Sequence, residues 1–270
     1  MQNSTTFKSH IYSIDFSNFD ASLVTKANKM FNGYIKFELI NFSNFDASII
    51  TTMEFMFSGC SSLKSIDLSN LNTPKLKSVS NMFYECKKLV SINLGNLNTS
   101  GVDSLYFMFS GCSSLKSIDL STLDTKMITD TQYLFSECYS LKSINFSNWD
   151  TSSLENVEGM FYSCSSLEYV DLSGFNTPSL VNVDSMFFDC ISLKSIDLSS
   201  FDTSNVEAMN FVFHNCTSLK YANLSNWVTS AVSTMMNLFS ECVSLTAVEI
   251  PDFFMEQLIS NDDIFLMLIN

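Results

Sequence analysis

Eight cysteines, Cys60, Cys86, Cys112, Cys138, Cys164, Cys190, Cys216 and Cys242, follow one another at intervals of 26 residues without a slip. Thiols at fixed spacing can pair as disulfides, hold a metal, or fill small core volumes unpaired. An even number permits disulfides, and coils stacked at ~4.8 Å would bring neighbouring Cα atoms into range. Side chains of one stacked column point the same way, however, so their Cβ atoms stay too far apart without distortion. There is no C-x-x-C and no Cys–His cluster, so no metal site is expected. The spacing predicts a ladder of buried free thiols.

A second column has chemical potential of another kind. Asp15, Asn41, Asp67, Asn93, Asp119, Asn145, Asp171, Asp197, Asn223 and Glu249 recur on the same beat. Carboxylates on one face could bind calcium, which wants several oxygen ligands. Only Asp171 and Asp197 are consecutive Asp residues, and Asn separates the other Asp residues. The alternation is better explained as relief of like-charge repulsion with amide hydrogen bonding. Catalysis has little to work with. His10 and His214 are the two histidines, and His214 stands where other repeats carry Ser58 or Tyr162, which reads as a surface substitution. No G-x-S-x-G or Gly-rich phosphate loop occurs, and seven glycines are too few for a nucleotide cradle. No catalytic residue and no cofactor is expected, and the chain is read as a non-enzyme.

The elements that position these columns follow from the rest of the period. Three residues before each Cys stands a Phe: Phe57, Phe83, Phe109, Phe135, Phe161, Phe187, Phe213 and Phe239. Three residues after each stands a Leu, from Leu63 to Leu245, and Phe31 with Tyr34 continues the beat backwards. A period in the 20–50 residue range is the mark of a solenoid, and Leu63, Ile66 and Leu68 form the L-x-x-L-x-L strand of a leucine-rich repeat. Ile66 and Leu68 point inward; Ser65, Asp67 and Ser69 point outward. Asn-Thr or Asp-Thr then turns the chain. Ser152-x-x-Glu155 and Ser204-x-x-Glu207 read as capping boxes, and Val206, Met209, Val212 and Phe213 fall at helical spacing.

The fold class predicted is therefore α/β: a right-handed leucine-rich-repeat solenoid of about ten 26-residue coils, with one parallel β-sheet and short helices on the opposite side. Residues 1–9 are a lead-in, 10–254 the solenoid, and 255–270 a partial last coil or C-terminal cap. The block Ser58–Ser69 recurs unchanged at Ser110–Ser121, which points to duplication of a two-repeat unit.

Composition bounds the partners. Hydrophobic residues make up 46% of the 270, enough for a large core. The formal charge is −14, and all 14 basic residues are lysines. A phosphate-rich partner needs a basic footprint that this chain lacks, so nucleic acid is not an expected partner. No stretch approaches the ~20 apolar residues that span a bilayer, so membrane insertion is not expected. Met1 to Phe16 has no continuous apolar segment of the secretory type. The apolar run Ile264–Ile269 would cover the last coil or support end-to-end self-association. Sequons at Asn3, Asn41, Asn98, Asn145, Asn215 and Asn223 look like a by-product of the repeat.

The pattern Met-Phe-x-x-Cys-x-x-Leu-x-x-Ile-x-Leu, standing here as Met160-Phe161 with Cys164, Leu167, Val170 and Leu172, resembles the BspA-type leucine-rich repeat. The resemblance runs from about Ile11 to Phe265. It implies a solenoid on cell-surface proteins of bacteria and some protists, associated with adhesion to host or matrix proteins and with cell–cell contact. The surface or extracellular location is an expectation from that resemblance; a cytoplasmic scaffold is the alternative.

Beside the acidic column runs a serine one, Ser65, Ser91, Ser117, Ser143 and Ser195, interrupted by Tyr169 and Tyr221, with Leu39 and Ala247 toward the ends. Template residues serve the fold, while exposed deviations can carry specificity, and Tyr is favoured as an interface anchor. Tyr169, Tyr221, Glu168, Lys194, Lys220, Asp171 and Asp197 are the candidate patch for a protein partner.

Overall fold

The computed structural model describes residues 10–251. The lead-in, most of the segment after the last strand, and the apolar run Ile264–Ile269 lie outside the described residues. Within them the chain is a parallel leucine-rich-repeat solenoid in which every coil but the seventh adds one three-residue strand. The strands are β1 (Ser13–Asp15), β2 (Leu39–Asn41), β3 (Ser65–Asp67), β4 (Ser91–Asn93), β5 (Ser117–Asp119), β6 (Ser143–Asn145), β7 (Ser195–Asp197), β8 (Tyr221–Asn223) and β9 (Ala247–Glu249). Pairing is parallel and one repeat out of step, as in Ile14↔Ile40 and Ile118↔Ile144. The middle residue turns inward and its neighbours outward, the alternation that a sheet with one wet face requires.

The hydrogen-bonded ladder is not continuous. It divides into β1-β2, β3-β4, β5-β6 and β7-β8-β9, and segment 168–171, the seventh Leu-x-x-Val-x-Leu, forms no regular strand. The divisions coincide with the Asp/Asn alternation. Asn41 Nδ2 donates to Asp15 Oδ1 at 2.9 Å, and Asn145 Nδ2 to Asp119 Oδ1 at 3.0 Å, each inside a paired set. At the breaks an Asp follows an Asn or another Asp, and a carboxylate has no proton to donate back to the coil before it.

The short helices expected opposite the sheet are absent among the described residues; turns replace them. The reason lies in where the amide protons go. In coil 53–60, Met53, Phe55, Phe57 and Gly59 donate to Ser78, Ser80, Met82 and Tyr84 of the next coil, while Met56, Ser58 and Cys60 donate three residues back. Half the donors thus serve the neighbouring coil, which an α-helix, bonding only within itself, could not do. Left-handed residues recur within each turn, as at Phe211 (φ 58°) and Asn215 (φ 57°), and these interrupt the helical reading of Val206–Phe213. This side is tied at every joint from coil 29–33 onward, whereas the strand side is released at several.

Beside the leucine, isoleucine and methionine positions of each repeat, three further columns line the interior. The phenylalanines stack face to face along the axis, with centroids 5.1–6.0 Å apart from Phe57 to Phe239. The eight thiols are all unpaired and buried. Each Sγ–H donates to a carbonyl one coil back, for example Cys86 to Phe57 at 3.1 Å, and burial pushes the Cys86 and Cys164 thiols well up from their ordinary value. The third column is threonine. The buried Thr151 Oγ1 accepts from the Asn176 amide at 2.8 Å and donates to the Asn176 carbonyl at 2.9 Å; Thr125 does the same to Asp150.

The outward sheet face as a candidate binding surface

Three outward columns make this face. The first is basic at Lys64, Lys116, Lys142, Lys194 and Lys220, and departs from that at Glu38, Val90 and Glu168. The second is the serine column and the third the Asp/Asn column. The five lysines and Asp67, Asp119, Asp171 and Asp197 are exposed. Each Asp is locked in an Asx turn, as where Asp171 Oδ1 accepts from the Ser173 amide at 3.0 Å and its hydroxyl at 2.7 Å. Those bonds hold the carboxyl groups of Asp67, Asp119, Asp171 and Asp197 below their ordinary value. Among the described residues, no group of three or more His, Cys, Asp or Glu side chains is placed to hold a metal ion.

The structure places the patch residues unevenly. Tyr169 is 58% exposed and stands on segment 168–171. A groove of ≈ 340 Å³ opens beside it along the break in the ladder, lined by Lys142, Ser143, Ile144, Glu168, Tyr169, Val170 and Asp171. Glu168 forms an ion pair with Lys194, which keeps the Glu168 carboxyl below its ordinary value. The Lys194 amide also donates to the Glu168 carbonyl at 3.1 Å, and the Lys220 amide to the Lys194 carbonyl at 2.9 Å. Tyr221 is half-buried in β8, and its hydroxyl is pushed up by a hydrogen bond to Glu249. Tyr169 and Tyr221 therefore share a column but differ in availability.

Sequence reasoning missed one feature. On the turn side a half-buried aromatic ribbon links Phe107 to Tyr133 (4.8 Å), Tyr162 to Phe188 (4.7 Å) and Phe188 to His214 (4.7 Å). His214, read from sequence as a surface substitution, is a half-buried member of that ribbon, with its Nδ1 buried and without a hydrogen-bond partner. The rings stack along the solenoid axis, so their faces are largely spent on one another. The signal was present in two columns, Ser58-Tyr84-Ser110-Ser136-Tyr162-Phe188-His214 and Phe55-Asn81-Phe107-Tyr133-Gly159-Ser185-Phe211. Each is only intermittently aromatic.

No helix among the described residues is long and apolar enough to cross a membrane. Comparison with known proteins finds no match among curated ones. Solved structures similar to this chain include a leucine-rich repeat protein from Bacteroides ovatus (20% identity over 94% of this chain and 82% of that one, TM-score 0.34). The T. pallidum leucine-rich repeat protein is 22% identical over 78% of this chain and 76% of that one, with a TM-score of 0.40. A leucine-rich cell surface protein from Faecalibacterium prausnitzii is 17% identical over 94% and 86%, with a TM-score of 0.30. The family model described as "Mycoplasma protein of unknown function, DUF285" matches residues 1–117, 90–168 and 140–253. With three successive matches spanning nearly all of its length, the chain belongs to the DUF285 family.

Proposed function

We propose that the chain is a non-enzymatic protein-binding module that engages its partner through the outward face of the sheet. The observation that carries this is the coincidence at the seventh coil: the ladder breaks, a groove opens, and the serine column gives way to the protruding Tyr169. A large aromatic side chain on an otherwise small-residue face is the kind of anchor that dominates interface energies. Glu168, Lys194, Lys220, Asp171 and Asp197 then form its polar surround, with Tyr221 in support. Residues 10–254 act as one solenoid unit, with 1–9 as lead-in and 255–270 as a partial last coil or cap.

The resemblance to BspA-type repeats supports a role in adhesion or cell–cell contact at a cell surface. An intracellular scaffold is the second reading, favoured by eight thiols that remain unpaired. Surface proteolysis of intact cells separates the two: a protected pool selects the scaffold. For the binding face, affinity capture with the wild type and with Tyr169→Ala/Tyr221→Ala is the direct test. Loss of the captured protein from the double variant supports the face; retention at full yield removes it.

A further inference from the structure

The charges of the outward face are arranged differently from those of the rest of the chain. Between residues 64 and 223 its two charged columns carry five lysines (Lys64, Lys116, Lys142, Lys194, Lys220) and five acids (Asp67, Asp119, Asp171, Asp197 and Glu168). Over this stretch the two columns balance, on a chain whose formal charge is −14; their continuation beyond it adds Asp15, Glu38 and Glu249. The opposite signs are also segregated, because every lysine lies in one column and every Asp three residues on, ~10 Å away along the strand. Between them lies the low serine column.

Such a face is complementary to itself. Resting on the binding-face reading above, we propose that the partner is a second copy of the chain, packed sheet face to sheet face about a two-fold axis parallel to the solenoid. That operation exchanges left and right but keeps each coil at its own level. Lys64 of one copy then meets Asp67 of the other, Lys116 meets Asp119, and Lys194 meets Asp197, each pair occurring twice as an isologous interface requires; these three outnumber the one like-charge meeting, Glu168 with Asp171, whose Glu168 is already ion-paired with Lys194. A two-fold across the solenoid would set lysine on lysine and is disfavoured by the same charges. Tyr169 lies in the central column, beside the axis, where its ring can rest over Ser143 or Ser195 of the other copy. Seven levels at ~4.8 Å give a face ~30 Å long, and with a width of ~15 Å the two copies bury ~900 Å², in the class of weak, reversible contacts. Glu38 pairs with Lys64 within one copy at 3.7 Å, but both side chains are exposed, so that pair can exchange for Asp67 of the other copy.

Sedimentation equilibrium of the full chain tests this, with thermal melts confirming that each variant is folded. In ~0.1 M salt the wild type should dimerise reversibly, and ~1 M salt, where screening reaches ~3 Å, should weaken the dimer at least tenfold. K64E/K116E/K194E and D67K/D119K/D197K should each be monomeric, and an equal mixture of the two should dimerise again. D67N/D119N/D197N, which places Asn where coils with Asn41 and Asn93 already carry it, keeps the turns and should weaken association without unfolding. A wild type that stays monomeric at every concentration overturns the proposal, as does association unchanged in K64E/K116E/K194E or a mixture of folded variants that stays monomeric. If the wild type is monomeric but the tyrosine double variant loses a captured protein, the self-partner falls and the binding face stands; if that protein is also retained, both fall.

Discussion

Cys164 Sγ donates a hydrogen bond to the carbonyl of Phe135 at 3.1 Å, across the joint between two coils. Each sulfur is likewise tied to backbone in the coil before it, as Cys86 is to Phe57 and Cys216 to Phe187. The thiols and the stacked rings form one device, in which the aromatic column sets the spacing and the sulfur column ties it.

Native protein should therefore react slowly with a thiol reagent and release eight thiols on denaturation without reductant. The pH dependence has a defined sign. Burial raises the folded-state pKa of Cys86, Cys112 and Cys164 above the unfolded value of about 8.5. Their stabilisation is complete below that value and is lost as pH rises above it, because only the unfolded chain gives up the protons. The melting temperature should fall steadily from about pH 8.5 upward. A melting temperature unchanged to pH 10.5 would contradict the burial.

Phe135 stacks on Phe109 at 5.8 Å and on Phe161 at 6.0 Å. Phe135→Ala removes both partners' contacts and leaves a cavity that rigid neighbouring coils cannot close. The loss should be about 3–5 kcal/mol in a denaturant melt. Wild-type stability would count against the register described above.

Thr151→Val keeps the shape of the side chain and deletes both of its bonds to Asn176. With the Asn176 amide and carbonyl left without that partner in a part-buried seam, destabilisation should be about 1–2 kcal/mol. Thr151→Ser should recover most of it. Equal melts for Val and Ser would show that the hydroxyl does not matter.

Gly159 has φ +56°, and a Cβ there would lie 2.3 Å from the Tyr133 ring, whose hydroxyl donates to Glu158 at 2.6 Å. Gly159→Ala should cost about 2 kcal/mol through backbone strain and displacement of that ring. Gly174 has open space around it, so Gly174→Ala should leave the melt within about 0.5 kcal/mol of wild type. Comparable losses in both would place the cause outside the contact with Tyr133.

The Asx turns set the acid limit. Serine hydrogen bonds hold Asp67, Asp119, Asp150 and Asp197 below their ordinary pKa. A depressed folded-state value gives stabilisation present above the unfolded pKa of about 3.9 and lost as pH falls through the folded values. The melting temperature should be flat between about pH 5 and 8 and should decline below about pH 4. Constancy down to pH 2.5 would mean that these bonds do not distinguish folded from unfolded chain.

The strand positions, their register and the outward columns were legible in the sequence because side chains one period apart must meet their own counterparts. Ile14 over Ile40 and Asp119 beside Asn145 follow from the 26-residue beat alone. What the beat does not contain is the direction of each N–H. Val206, Met209, Val212 and Phe213 satisfy helical spacing, yet the backbone of the last three serves adjacent coils and Phe211 takes a left-handed conformation, neither of which leaves a mark on side-chain periodicity. Thr151 read as a turn residue for a related reason: a hydroxyl bonding one coil away and one bonding locally require the same letter. The patch was half legible. Tyr169 and Tyr221 are alike as departures from serine, but only the three-dimensional ladder separates the protruding ring from the one bound to Glu249.

Because hydrogen bonds tie the turn side of each coil to the next, adding or removing a two-coil unit alters how long the molecule is while leaving the same kind of joint at either end. The unchanged block Ser58–Ser69 and Ser110–Ser121 is what duplication of such a unit leaves behind. Descendants of this chain could thus differ in reach while presenting the same pattern of charges, rung by rung, to whatever faces them.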